Sequence, residues 1–376
     1  MHNIIEIRHK LHQIAEVSGS EKQTSDFIYR LLKQTNPDRI ISNLGAYGIA
    51  AEYIGNNPNV TIMIRADIDA LPIPETNDLE YISNNRNVSH KCGHDGHSTI
   101  LLGLAFQMRE MIKELNCRVI LLFQPEEETG AGANNIINDD KFADIKPDYI
   151  FGLHNLPGFP LESIIIKNGV FASASKGLSV RFHGKSSHAG HPENGKSPVL
   201  AMTGLINGLM AIPAMHTKLE NAANITIVYA HLGEIAFGTA PGESTVMATF
   251  RSHRDEDMKT MTDKATKLIA GLAAMYDLTY DIEWVEEFPA TVNSDECNSI
   301  IKQAADELNL EIFNPDIPFP WSEDFGRYTQ LCKGAFFGIG AGVDRPQLHN
   351  PNYDFPDTII QTGVDIFITI LKLLGK

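Results

Sequence analysis

Cysteine is scarce and positive charge is in deficit. The four cysteines, Cys92, Cys117, Cys297 and Cys332, are too few and too scattered over 376 residues for a disulfide framework. Lysine and arginine number 31 against 47 aspartates and glutamates, a net charge of −16. That balance argues against general binding to nucleic acid or to an anionic membrane, both of which need basic patches. It leaves anionic small substrates open, because a pocket can be positive on an acidic protein. No apolar stretch approaches the ~20 residues of a membrane span. The first ten residues carry Glu6, Arg8, Lys10 and two histidines, with no apolar run of the kind that marks a signal peptide. These absences lead us to expect a soluble, reduced, cytoplasmic protein. What is present is ordinary for a globular chain, 43% apolar and 21% charged residues. The length suits roughly two domains.

Strands and helices alternate along the chain. Val60–Arg65, Arg118–Phe123 and Asp148–Leu153 are continuous apolar runs that read as buried strands. From Ser98 to Leu115, Ile100, Leu101, Leu104, Ala105, Met108, Met111, Ile112 and Leu115 recur at helical spacing. This pattern predicts an α/β fold with a mixed, largely parallel sheet flanked by helices. Residues 178–287 have a different rhythm. An alternating strand holds Leu178, Val180 and Phe182, and Ser197-Pro198 reads as an N-cap with proline at the first helical position. Strands near 224–232 and 244–252, a helix near 255–276 and a strand over 278–284 follow, the β-α-β-β-α-β order of a ferredoxin-like unit. The expected organisation is a discontinuous main domain, 1–177 with 288–376, and an inserted lid and dimerisation domain over 178–287.

Chemistry concentrates in four segments at strand ends or loops: Arg65-Ala-Asp67-Ile-Asp69-Ala-Leu-Pro72, Lys91-Cys92-Gly93-His94-Asp95-Gly96-His97, Gln124-Pro-Glu126-Glu127-Glu128-Thr-Gly130 and Gly152-Leu-His154-Asn155. Ligands bind open α/β sheets beyond the carboxyl ends of the strands. Cys92 alone reads as a small buried hydrophobe. With His94, Asp95 and His97 within five residues it points to a metal, and thiolate, imidazole and carboxylate suit zinc, cobalt, nickel or manganese. The triple glutamate is either a solvated acidic run or a repelling set that a cation or shared proton relieves. His154 alone reads as a core histidine. The loop Ser186–Pro192, with His188, is either a flexible turn or a lid that reaches a developing oxyanion. Trp321-Ser322-Glu323-Asp324-Phe325 reads as a helix cap, and Gly338-Ile-Gly340-Ala-Gly342 as a turn.

Taken together, these segments resemble the aminoacylase/carboxypeptidase superfamily of two-metal hydrolases. The likeness is to the amidohydrolase branch that holds hippurate hydrolase, indole-acetyl-amino-acid hydrolases and N-acetyldiaminopimelate deacetylase. It rests on Arg8-x-x-Leu11-His12-x-x-x-Glu16-x-Ser18-x-x-Glu21, Arg65-Ala-Asp-x-Asp-Ala-Leu-Pro, Cys92-Gly-His-Asp-x-His97, Phe123-Gln-Pro-x-Glu-Glu128, Gly152-Leu-His154, Ser187-His-Ala189, Ser322-Glu-Asp-Phe325 and Leu348-His-Asn-Pro351. Any one of these is weak, but in this order they are specific. The resemblance implies two divalent ions (Mn, Zn, Co or Ni) on Cys92, His94, Glu128, His154 and His349, with Cys92 a candidate bridge. It implies a metal-bridging water as nucleophile, Glu127 as general base, and His188 polarising the scissile carbonyl. Asp67, Asp69 and His97 would support the ligands, and Asn224 and Ser322 would touch substrate. The expected reaction is hydrolysis of an N-acyl amino acid to a carboxylic acid and a free amino acid, by a possible homodimer joined through the small domain. Rival readings are a di- or carboxypeptidase of the same superfamily, a hydrolase with Cys92 as nucleophile, and a metal-binding protein without turnover. Three positions depart from the family pattern: Glu126 where a small residue is common, Lys91 where alanine is common, and Gly238–Ser244 in the lid.

Overall fold

The computed structural model describes residues 3–376. By internal contacts the chain forms two compact units. The first runs to Phe171 and resumes over Thr291–Pro318 and Glu323–Lys376; the second comprises Ala172–Ala290 with Phe319–Ser322.

The first unit opens with helices α1 (Ile4–Gln13) and α2 (Lys22–Leu32). Strands β1 (Arg39–Leu44), β2 (Gly48–Ile54) and β3 (Thr61–Asp67) follow, then helix α3 (His94–Met111), β4 (Arg118–Gln124), the short α4 (Gly132–Ile137), β5 (Tyr149–Leu156), β6 (Ile164–Ile165) and β7 (Gly169–Ala172). The second unit contributes β8 (Ala174–His183), β9 (Ser187–His188), α5 (Val199–His216), β10 (Ala223–Leu232), β11 (Thr239–Ala240), β12 (Glu243–Ser252), α6 (Asp255–Met275) and β13 (Thr279–Phe288). The chain then returns through β14 (Thr291–Asn293), α7 (Asp295–Glu307), β15 (Ile312–Phe313), α8 (Gly326–Thr329), β16 (Lys333–Gly340) and α9 (Ile360–Leu374).

An eight-stranded mixed sheet organises the first unit, in the order β1-β2-β4-β3-β5-β16-β6-β15. Its centre, β4-β3-β5-β16, is parallel; β1, β2 and β6 join antiparallel. The apolar runs read from the sequence are these central strands, because strands covered on both faces need no polar alternation. Ile62, Ile64, Val119, Leu121, Phe123 and Phe151 are fully buried, with Ile100, Leu104, Met108, Phe367 and Ile370 from α3 and α9 in the same core. Burying side chains of this size stabilises by about 1.5–3 kcal/mol each before conformational entropy is set against it.

Two sequence readings need correcting here. Helix α3 begins at His94, not Ser98. Its first turn is buried but polar, so apolar periodicity is silent there. Gly338-Ile-Gly340 is not a turn but the end of β16. A Cβ on Gly338 would stand 2.3 Å from Leu156 Cδ1, and one on Gly340 1.9 Å from the Pro160 carbonyl. These glycines mark close approach inside a buried strand.

In the second unit the sheet order is β10-β12-β8-β13, all antiparallel. This is the ferredoxin-like arrangement, with β10 and β13 at the edges. Leu178, Val180 and Phe182 face inward, as their alternation requires. Pro198 itself occupies the cap position of α5, one residue later than the Ser197 reading. Helix α5 is long and apolar enough, by length and composition, to cross a membrane, which the sequence reading did not anticipate. Here it lays one stripe, Ala201, Leu205, Leu209 and Ile212, into the unit and leaves Leu200, Met210 and Met215 exposed.

Candidate metal centre

The carboxyl ends of β3, β4 and β5 carry Asp67, Gln124 and the His154-Asn155 pair, and α3 begins beside them. Gly93 precedes α3 with φ +96°, a left-handed conformation that L side chains rarely adopt. A Cβ there would also meet Asn155 Oδ1 at 2.5 Å. This turn brings Cys92 and His94 to one side.

Consecutive side chains of an extended strand point to opposite faces, so Glu127 and Glu128 need an irregular backbone to share a cleft. Glu126 supplies it, with φ +56°. Its N–H donates to buried Glu21 Oε1 at 2.9 Å, and the Glu128 N–H donates to Asp69 Oδ2 at 3.0 Å. Glu126 turns away and accepts from Asn135 Nδ2.

The donors lie in two groups that share Cys92. Cys92, His94 and His154 form one, and Cys92, Glu128 and His349 the other, with the donor atoms of each group within 4.8 Å of one another. Cys92 Sγ is 3.3 Å from His154 Nε2, and His349 Nε2 is 3.7 Å from Glu128 Oε1. His94 Nε2 and Glu128 Oε1 are buried, 3.8 Å apart, and neither has a hydrogen-bond partner. Buried polar atoms are normally hydrogen-bonded, so a mixed sulfur, nitrogen and oxygen set with two such atoms facing each other fits a transition-metal ion.

Outer contacts orient these donors. His94 Nδ1 donates to the Asp69 carbonyl at 3.0 Å and lies 3.2 Å from Asp69 Oδ1, which aims Nε2 at the cluster. His97 pairs through Nδ1 with Asp67 Oδ1 at 2.6 Å and through Nε2 with Asn155 Oδ1 at 2.5 Å. His154 Nδ1 donates to the Asn155 carbonyl. Arg65, fully buried, reaches Asp67 at 2.7 Å, Asp324 at 2.8 Å and Glu323 at 3.0 Å. Asp324 also accepts from Gln124 and from the Ala133 N–H. Glu127 lies against Glu323 and Asp324. Ser322-Glu323-Asp324 is therefore no helix cap: α8 starts at Gly326, and both acids are buried.

The protonation equilibria reflect crowded negative charge. Burial and the neighbouring Glu323 and Glu128 push the Glu127 carboxyl well above its ordinary range. Glu128 rises to about 7, burial outweighing the favourable His94. Burial, Glu128 and Glu127 push the Cys92 thiol up. His94 is raised to about 10; burial opposes its charge, but Asp67, Asp69 and Glu128 prevail. A cation would reverse the direction for the carboxylates and the thiol, holding them ionised.

The remaining expected residues lie on the second unit. His188, on β9, is exposed; its strand pairs with β11, inside the unusual 238–244 segment, and its Nδ1 accepts from the Gly190 N–H. Asn224 lies on β10 and, with Arg251, lines a cleft of about 380 Å³. Ser322 Oγ accepts from Arg251 Nη1 at 3.2 Å. The sequence reading passed over Arg251, because an isolated charge carries no spacing signal, and it quoted Glu21 and Arg65 in motifs without giving either a role.

Comparison with known proteins bears on this geometry. Residues 63–373 match the model of peptidase family M20/M25/M40. The chain belongs to that family. Over 374 residues it is 31% identical to N-acetyl-L-cysteine deacetylase of Bacillus subtilis, covering 99% of this chain and 88% of that one. It is 32% identical to hippurate hydrolase of Campylobacter jejuni, over 98% of this chain and 96% of that one. Among solved structures it is similar to a B. subtilis protein described as a dinuclear metal binding peptidase of the M20 family, with a TM-score of 0.83, 25% identity, and coverage of 99% and 97%. Membership in the M20 family accounts for a match that spans both units of the chain.

Proposed function

We propose that this M20 protein hydrolyses the amide bond of an N-acyl amino acid, using two divalent ions held by Cys92, His94, Glu128, His154 and His349. It is a metal-dependent amidohydrolase by its family and named relatives. The observation that carries the site reading is the pair of three-donor groups sharing Cys92, with His94 Nε2 and Glu128 Oε1 unpartnered between them. When bound, the ions supply Lewis acidity to a water and to the scissile carbonyl.

The chain's own residues do the rest. Glu127, a donor-free carboxylate once ionised, takes the proton of the attacking water and delivers it to the leaving amine. Beside it, Arg65 bridges Glu323 and Asp324. Asp69 and Asp67 fix the rings of His94 and His97. We assign His188 to the developing oxyanion. Asn224, Ser322 and the guanidinium of Arg251 are assigned to the carboxylate end of the substrate, since an arginine fork matches a carboxylate. Burial of the Cys92 thiol, which raises its pKa, disfavours the reading of Cys92 as nucleophile.

The decisive experiment compares neighbours. Glu127→Gln should keep both ions and lose turnover by about 10²–10⁴-fold. Glu128→Gln should lose an ion, read by elemental analysis. Near-normal turnover in Glu127→Gln would refute its role as base. We also assign the second unit to a homodimer interface: β10 is a sheet edge, and Val228 and Tyr229 on it and Leu200, Met210 and Met215 on α5 are exposed. Sedimentation should give twice the chain mass, reduced to the monomer by Met210→Glu with Val228→Glu; a monomeric wild type excludes it.

A further inference from the structure

The side chain of Lys91 is completely buried. Its ammonium has three partners: Glu75 Oε1 at 2.5 Å, Asn77 Oδ1 at 3.2 Å and the Tyr353 carbonyl at 2.8 Å. Its own carbonyl accepts the His349 N–H at 2.8 Å. One residue therefore grips both ends of the 349–353 loop. The same loop is tied to the 75–77 segment by Thr76 N–H to the Pro351 carbonyl and by Asn77 Nδ2 to the Asn352 carbonyl.

The loop needs holding. His349 has φ +65°, an unfavourable conformation for a residue with a Cβ, and its side chain is half exposed, so little packing fixes the ring. A buried ammonium is also a costly way to fill space, since desolvation opposes it and an aliphatic side chain would pack as well. The charge is accounted for by what it grips. Glu75 is fixed in turn by His12 and by the Ser83 N–H, so the anchor beneath Lys91 is itself rigid.

We propose that Lys91 is a positioning residue that clamps the 349–353 loop onto the Cys92 turn and thereby sets His349 for one of the two ions. This rests on the reading of His349 as a ligand. The clamp acts on the Cys92–Glu128–His349 group and leaves the Cys92–His94–His154 group alone. Loss of a supporting contact typically weakens metal affinity by about 10–100-fold.

The test is a titration with Co(II), followed by calorimetry and by visible absorption, on wild type, Lys91→Met and His349→Ala. Amide hydrogen exchange across 349–353 is measured in parallel without metal. Lys91→Met should bind its first equivalent as wild type does and its second at least about tenfold more weakly, with faster exchange at His349. His349→Ala should lose the same equivalent. If His349→Ala loses it and Lys91→Met does not, the clamp is refuted while the ligand reading stands. Equal weakening of both equivalents in Lys91→Met would also refute it, marking a general loss of stability. If His349→Ala binds both ions normally, the ligand reading falls and the proposal with it. Should Lys91→Met not fold, Lys91→Met with Glu75→Gln removes both members of the pair and leaves no unpaired buried charge.

Discussion

His12 offers a test of the buried charge network that requires no substrate. Its ring lies between Asp95 Oδ2 at 2.8 Å and Glu75 Oε1 at 2.9 Å, with no exposure to solvent. Burial opposes its charge, but the two carboxylates prevail and raise its pKa from 6.5 to about 9. Glu75 falls to about 2 and Asp95 is lowered as well, both against the cost of burial. Those shifts include the same interaction seen from the carboxylates, with Arg8 also lowering Asp95 and Lys91 lowering Glu75, and they are not added again. For a base whose folded pKa is raised, the extra stability is complete below the unfolded value and disappears as pH rises through the folded one. At 1.36 kcal/mol per unit the difference comes to about 3 kcal/mol. Stability contributed by His12 is therefore full at pH 6 and nearly gone by pH 9.5. Urea unfolding at pH 6, 7.5 and 9.5 measures it. His12→Gln, which can still hydrogen-bond but cannot take a proton, should start lower at pH 6 and lose about 3 kcal/mol less across the range. Other groups titrate in both proteins and cancel in the comparison. If the two show the same slope, His12 is not protonated in the fold and the network is wrongly charged here.

Two further outcomes follow from the site. Cys92→Ser should lower metal content, because a hydroxyl is a poor ligand for borderline ions; unchanged occupancy in elemental analysis would remove Cys92 from the ligand set. His188→Ala should keep its metal and lose kcat and kcat/KM together, as expected for a group that acts in the transition state; a normal kcat would return His188 to an ordinary turn.

The central strands and the donor motifs were legible because each is local. Ile120-Leu-Leu-Phe123 reads as a buried strand on its own, and Cys92-Gly-His94 carries its meaning within three residues. What escaped the sequence reading is long-range or polar. Arg65 meets Asp324 across 259 positions, and nothing near either residue announces the other. Glu323 and Asp324 imitate the acids of a helix first turn, a pattern that is usually right. Strand β1 is half polar and β16 is rich in glycine, so neither gives an alternation or a β-branched run. The start of α3 was missed for a related reason: its first turn is buried because it serves the site, and hydrophobic periodicity cannot register buried histidines.

The place of β16 in the main sheet has a consequence for how the protein is made. It lies between β5 and β6, although about half the chain separates it from them in sequence. It is made after every other strand described here, yet it is an interior one. Until Lys333–Gly340 is synthesised, β5 lacks its neighbour on that side and presents an open parallel edge, the kind of surface that invites mispairing. The stretch from Glu323 onward also brings Asp324 to Arg65, His349 to Glu128 and α9 to α3. Synthesis therefore leaves Arg65 without Asp324 until 259 residues later. A chain cut short before Lys333 lacks an interior strand of its main sheet and His349 together.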